Sequence, residues 1–246
     1  MAQTAASPKR VESLTDEQKA LKHWLVPLRP ELETLVLPAN NEAANSIPWT
    51  IPASSLLTPT AYGASWGDLF LSLGTQDRRR FGDTSFDVSG GGGFGIGNAR
   101  RWAGIEFSYS MYDVTLLLPW KAAGALNIKV HSLFKYGIAA ALGSVDLVQW
   151  NGGDTGRTFY GVVSKSFVLS PNENAAFSLI LVHLGLGNGN YQKQSDIMAG
   201  RNVFNLFGSI GIRIAKPVSL VLNWYGSDLG IGLSIAPFRR YRIVFT

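Results

Sequence analysis

Leu229-Gly230-Ile231-Gly232-Leu233-Ser234-Ile235 alternates four large aliphatic side chains with two glycines and a serine. Successive side chains of an extended backbone point to opposite faces, so this heptapeptide has one bulky apolar face and one almost bare face. The pattern recurs upstream. Ile105, Phe107 and Tyr109 stand against Glu106, Ser108 and Ser110, and Ile180, Val182, Leu184 and Leu186 against His183, Gly185 and Gly187. Ile210, Ile212 and Ile214 likewise face away from Ser209, Gly211 and Arg213. A period of two sustained over such runs is the signature of β-strands.

Strands are expected near 66–75, 85–98, 101–113, 124–135, 137–149, 156–168, 175–188, 202–214, 217–226, 228–236 and 240–246. Turn chemistry separates them: Asn98-Ala99-Arg100, Asn151-Gly152-Gly153-Asp154, Ser170-Pro171-Asn172-Glu173-Asn174 and Ala215-Lys216-Pro217. Short connections pair neighbours antiparallel. The expected fold is all-β, an antiparallel up-and-down β-barrel of about 10–12 strands over residues 61–246.

Residues 1–60 read differently. Thr15-Asp16-Glu17-Gln18 has a capping threonine three residues before a glutamine, and Leu21, Trp24 and Leu25 follow at helical spacing, which predicts one short helix. Around it, Pro27, Pro30, Pro38, Pro48, Pro52 and Pro59 with Asn40, Asn41 and Asn45 read as irregular coil. Such a segment serves as a tether, a plug inside the barrel or an arm on a partner.

Comparing the two faces of the strands indicates the solvent. A soluble barrel puts its apolar face inside and needs a water-facing surface rich in Lys, Glu, Thr and Gln. Here the second face is Gly93, Gly95 and Gly97; Asn127, Lys129 and His131; Asn205, Ser209 and Gly211, which makes a poor aqueous exterior but a good lining for a narrow interior. Only 16% of residues are charged, against roughly 25% in ordinary soluble domains. The bulky face suits hydrocarbon. Aromatics near run ends (Trp66, Trp102, Tyr109, Tyr136, Trp150, Tyr160, Tyr191, Trp224, Tyr225) suit a headgroup boundary. The expected setting is therefore a membrane, spanned by a closed sheet. No run has the apolar length of a transmembrane helix, and the N-terminus lacks the pattern of a secretory signal, which leaves two readings: Met1 placed before a mature start, or a cytosolic origin.

Three segments, TPTAYGASWGDLFLSLG (58–74), GLGNGNY (185–191) and LGIGLSIAPFRR (229–240), together with the strand pattern of residues 45–246, resemble an uncharacterised group of cyanobacterial outer-membrane-type β-barrel proteins. The resemblance implies a fold and a membrane but no activity. One departure is the end of the chain, Tyr241-Arg242-Ile243-Val244-Phe245-Thr246: outer-membrane barrels usually close on a longer strand with a terminal aromatic. Phe245 serves as a displaced end signal, or a closing hairpin is missing.

Chemical motifs are sparse. The net charge of +5 is too mild to indicate nucleic acid, and absence of cysteine excludes disulfides and thiolate metal sites. Gly90 to Gly97 lacks both the following helix of a dinucleotide fingerprint and the Lys-Ser/Thr of a P-loop, so it reads as a glycine-lined strand. His23, His131 and His183 show no metal-binding spacing, and neither a metal nor a cofactor is expected. His131 with Ser132, and His183 with Ser178 or Asp196, are the combinations a lipid hydrolase would use, without a local signature for one. The inward candidates for a lumen or constriction are Glu106, Lys129, His131, Lys165, His183 and Arg213, which at one height would either pair or select solutes by charge. Asp77-Arg78-Arg79-Arg80 and Phe238-Arg239-Arg240 read as turns at a membrane surface that meet outer-membrane lipid or lipopolysaccharide. The leading expectation is a non-enzymatic outer-membrane barrel, a small pore or structural element open to small solutes. The alternatives are a soluble or periplasmic barrel binding an apolar ligand, and an outer-membrane lipid hydrolase.

Overall fold

A computed structural model describes residues 52–76, 87–112, 123–151, 156–170, 172, 174–238, 244 and 245. The helix expected between 15 and 25 lies outside them. Ten strands form one sheet in chain order: β1 (Leu69–Gln76), β2 (Asp87–Asn98), β3 (Ala103–Met111), β4 (Gly124–Leu133), β5 (Ile138–Trp150), β6 (Thr158–Val168), β7 (Leu179–Gly187), β8 (Asn205–Ala215), β9 (Val218–Trp224) and β10 (Leu229–Ile235). Each pairs antiparallel with its sequence neighbours, an up-and-down meander that short connections impose. Two 3₁₀ turns (Lys135–Gly137 and Gly189–Tyr191) and the single-turn α1 (Gln194–Met198) are the other elements among the described residues.

Register carries the alternation from strand to strand. Ser209 of β8 lies between His183 of β7 and Asn223 of β9, while its neighbour Ile210 lies between Val182 and Leu222. Small and polar residues thus predominate on one face, where Tyr160, Val162, Leu179, Leu181, Phe207 and Val221 are the larger buried members, and large apolar residues line the other. One irregularity interrupts β5. Leu126 opposes Val148 but Ile128 opposes Ser144, so the strand bulges around Asp146, whose φ is 60°. Asn127 bridges the gap, its Oδ1 accepting the Asp146 backbone N–H at 2.9 Å.

The two ends of the sheet differ. Connections 99–102, 134–137, 169–178 and 216–217 form one end, and the generally longer 77–86, 112–123, 151–157, 188–204 and 225–228 form the other. The connection after β7 folds inward and buries Tyr191 against Phe207, ring centroids 4.2 Å apart, with Tyr160 and Tyr225 around them. Tyr160 and Tyr191 are therefore interior residues rather than members of an aromatic boundary. Trp66, Trp102, Tyr136 and Trp224 are exposed near strand ends as expected.

Among the described residues β1 and β10 each have one strand neighbour, so the sheet is not closed by a bond between them. On the outer edge of β10, Ile235 exchanges both backbone hydrogen bonds with Phe245, at 2.7 and 2.8 Å. The rest of the strand expected at 240–246 lies outside the described residues, apart from Val244.

Candidate functional site: an interior filled by its own chain

Residues 52–68, ahead of β1, run across the small-residue face of the sheet. The expected boundary between residues 60 and 61 falls inside this continuous segment. Its backbone finds partners on strand after strand. Ala53 N–H donates to Ser234 Oγ of β10 (2.8 Å), and Leu56 N–H donates to Asn223 Oδ1 of β9 (3.3 Å), which also lies 3.0 and 3.1 Å from the Ser55 and Thr58 hydroxyls. Ala61 N–H donates to Ser164 Oγ of β6 (2.8 Å), and Ala64 N–H to Glu106 Oε2 of β3 (2.8 Å). A coil cannot satisfy its own amides when buried, so side chains of the sheet do it.

The charged residues serve the same segment. Glu106 and Lys129 are direct cross-strand partners and form an ion pair at 3.0 Å. Each has a second bond to the coil, Glu106 accepting from Ala64 and Lys129 Nζ donating to the Tyr62 carbonyl at 2.9 Å. Two residues along β4, on the same face, His131 meets the Ala64 carbonyl through Nε2 at 2.8 Å, which requires that nitrogen to carry the proton. Its buried Nδ1 has no partner among the described residues.

His183 of β7 is held on both sides: Nδ1 is 2.7 Å from Ser164 Oγ and Nε2 is 2.8 Å from Ser54 Oγ, with the Tyr62 ring edge-on at 5.8 Å. A neutral ring with one donating and one accepting nitrogen satisfies both serines in either tautomer. The side chain is 2% exposed.

Two glycines show how closely the segment fits. A Cβ on Gly211 would lie 2.6 Å from Ser54 Cα, and one on Gly95 would collide with the Ala64 carbonyl. The bare positions within the strands, which cost stability in an ordinary sheet, here admit a second layer of backbone.

The six sequence candidates thus separate. Glu106, Lys129 and His131 cluster around residues 62–64, His183 clamps residue 54, and Arg213 lies buried on the same face of β8. Lys165 does not belong with them. It follows Ser164 on the opposite face, opposite Ile138 and Val182, with its Nζ over the Phe167 ring at 5.5 Å and bonded to the Tyr136 carbonyl. Its long stem lies along apolar neighbours while the ammonium reaches the turn.

The hydrolase pairings do not assemble. Ser132 donates to the Trp102 carbonyl on the face opposite His131, and Asp196 accepts from Arg201 Nε at 3.0 Å. Ser54, Ser164, Asn223 and Ser234 were not singled out by sequence reasoning. Their signal is positional: Ser164, Asn223 and Ser234 alternate with the uncovered or half-buried apolar residues of their strands, which places them on the covered face.

Beyond the strands, Tyr191 lies among Tyr225, Tyr160 and Asp146. Burial, and then those neighbours, push its hydroxyl well above the usual tyrosine range, so it stays neutral.

The far face of the sheet has the opposite character. Leu71, Leu73, Leu142 and Ile231 are 84, 82, 70 and 67% exposed, and Phe94, Leu126, Phe159, Val163, Leu184, Leu206 and Ile210 are also uncovered. No helix among the described residues is long and apolar enough to cross a membrane. The chain matches no protein-family model, no curated protein and no solved structure.

Proposed function

We propose that this chain is a non-enzymatic β-barrel of the outer-membrane type, embedded in lipid and closed at rest by its own residues 52–68. The observation that carries the reading is reversed polarity. Serine, histidine, asparagine, arginine and an ion pair are inside beside a small apolar cluster, while leucine, isoleucine, valine or phenylalanine is uncovered on every described strand but β9, which uncovers Trp224. Each such side chain is worth roughly 1.5–3 kcal/mol when fully removed from water, so a face of this size drives association with an apolar phase. Lipid acyl chains are the partner that matches it, and an outer membrane is the compartment that houses barrels of this kind. Short turns at one end and longer loops at the other follow the same plan.

A hydrocarbon setting also requires that strand edges be paired, because lipid offers no hydrogen bonds. The reading therefore has the outer edges of β1 and β10 paired in the membrane, with Ile235 and Phe245 as the described beginning on β10. The filled interior favours a structural barrel over an open pore. Small solutes would pass only if residues 52–68 were displaced. Both interior histidines are committed to holding that segment, which supports a role without catalysis.

Fractionation with bilayer recording tests this. The protein should need detergent for extraction, migrate differently on a gel before and after heating, and leave a planar bilayer silent until Glu106→Ala, Lys129→Ala and His183→Ala together loosen the plug. Full recovery in the aqueous fraction without detergent would overturn the membrane reading, and steady conductance by the unaltered protein would overturn the closed interior.

A further inference from the structure

We infer that the short-turn rim binds anionic glycerophospholipid headgroups, an inference that rests on the membrane reading above. Charge is distributed unevenly between the two ends. The described short-turn connections carry Arg100, Arg101, Lys135 and Lys216, and Lys165 reaches the same end from the apolar face. Carboxylates there are few: Asp68 is buried and accepts the Ser65 N–H at 2.7 Å, and the sequence of connection 169–178 adds Glu173. In sequence the long-loop connections carry both signs in near balance, with Arg78, Arg79, Arg80, Lys121, Arg157, Lys193 and Arg201 against Asp77, Asp83, Asp113, Asp154, Asp196 and Asp228.

The cations stand where a headgroup would. Arg101 precedes Trp102 and Lys135 precedes Tyr136, rings that are 71 and 63% exposed at the border of the uncovered apolar face. Lys165 lies on that face itself, its ammonium drawn to the Tyr136 carbonyl in the turn. An aromatic ring at the interface with a cation beside it marks the level of lipid phosphates, and clustered Lys and Arg there favour anionic over zwitterionic lipid. Complementarity of charge, placed at the edge of an acyl-chain surface, selects a lipid that presents both phosphate and chains.

Spin-labelled lipids in reconstituted vesicles provide the test. The full chain is placed in phosphatidylcholine vesicles containing trace spin-labelled phosphatidylcholine or phosphatidylglycerol, and the motionally restricted fraction of each label is compared. Restricted phosphatidylglycerol should exceed restricted phosphatidylcholine severalfold at low salt, and the excess should shrink in high salt. The triple variant Arg101→Gln, Lys135→Gln, Lys165→Gln should lose most of it, while Arg157→Gln with Lys193→Gln at the other end should retain it. Equal restriction of both labels, or an equal loss from either set of variants, would overturn the rim site while leaving the membrane reading intact. No restricted lipid of either kind would overturn the membrane reading itself.

Discussion

Glu106 and Lys129 neutralise each other and also hold the coil that covers them. Removing one partner leaves the other half-buried and partly unmatched; the loss is about 3–5 kcal/mol for a fully buried pair, and these side chains keep 13 and 14% exposure. Since the Tyr62 carbonyl still accepts from Lys129, Glu106→Gln should fall at the lower end of that range, read as a shift in the urea midpoint of unfolding. Lys129→Met combined with Glu106→Gln should recover part of the loss, because no uncompensated charge remains; strictly additive losses would show that the pair is not coupled. Gly211 makes a second prediction at this scale. With Ser54 Cα in the way, Gly211→Val should cost about 1–3 kcal/mol through overpacking. Gly230→Ala, whose added methyl meets nothing closer than 3.8 Å, should change the same midpoint little. Equal shifts from the two glycines would remove the argument from close fit.

The strands were legible because alternation is a local property: β7, β9 and β10 fall within the runs read at 175–188, 217–226 and 228–236, and β8 passes the end of 202–214 by one residue. Lys165 shows how charge misled where parity would have served. It shares its parity with Phe159, Val163 and Phe167, all of which are uncovered, so the alternation already placed it on the apolar face. The route of residues 52–68 was not legible, since the bonds of Ala53, Ala61 and Ala64 go to residues about 180, 100 and 40 positions away and leave no periodic trace in the coil. Glycines at 95 and 211 recorded the close approach without indicating what approached. The element-scale prediction follows from the two faces of β8. Ile210→Lys, between Val182 and Leu222, should cost about 2–4 kcal/mol of folding stability in bilayers if it lies near the midplane. The same substitution should be close to neutral if that face meets water, and a neutral result in vesicles would count against the assignment of faces.

At the scale of the molecule, the structure is a sheet with its polar side occupied and its apolar side bare. The occupied side depends on residues 52–68, so the coil is part of the fold rather than an appendage. The bare side is what the account explains by lipid, and the chain's lack of cysteine allows a direct probe of it. Single cysteines at Leu206, Ile210 and Leu222 carry a bimane fluorophore in reconstituted vesicles, with Lys193 in the long-loop connection as the reference. Bromine-tagged acyl chains should quench the three strand sites and leave Lys193 bright, while aqueous iodide should do the reverse. Quenching of Leu206, Ile210 and Leu222 by iodide, with none by brominated lipid, would contradict the account.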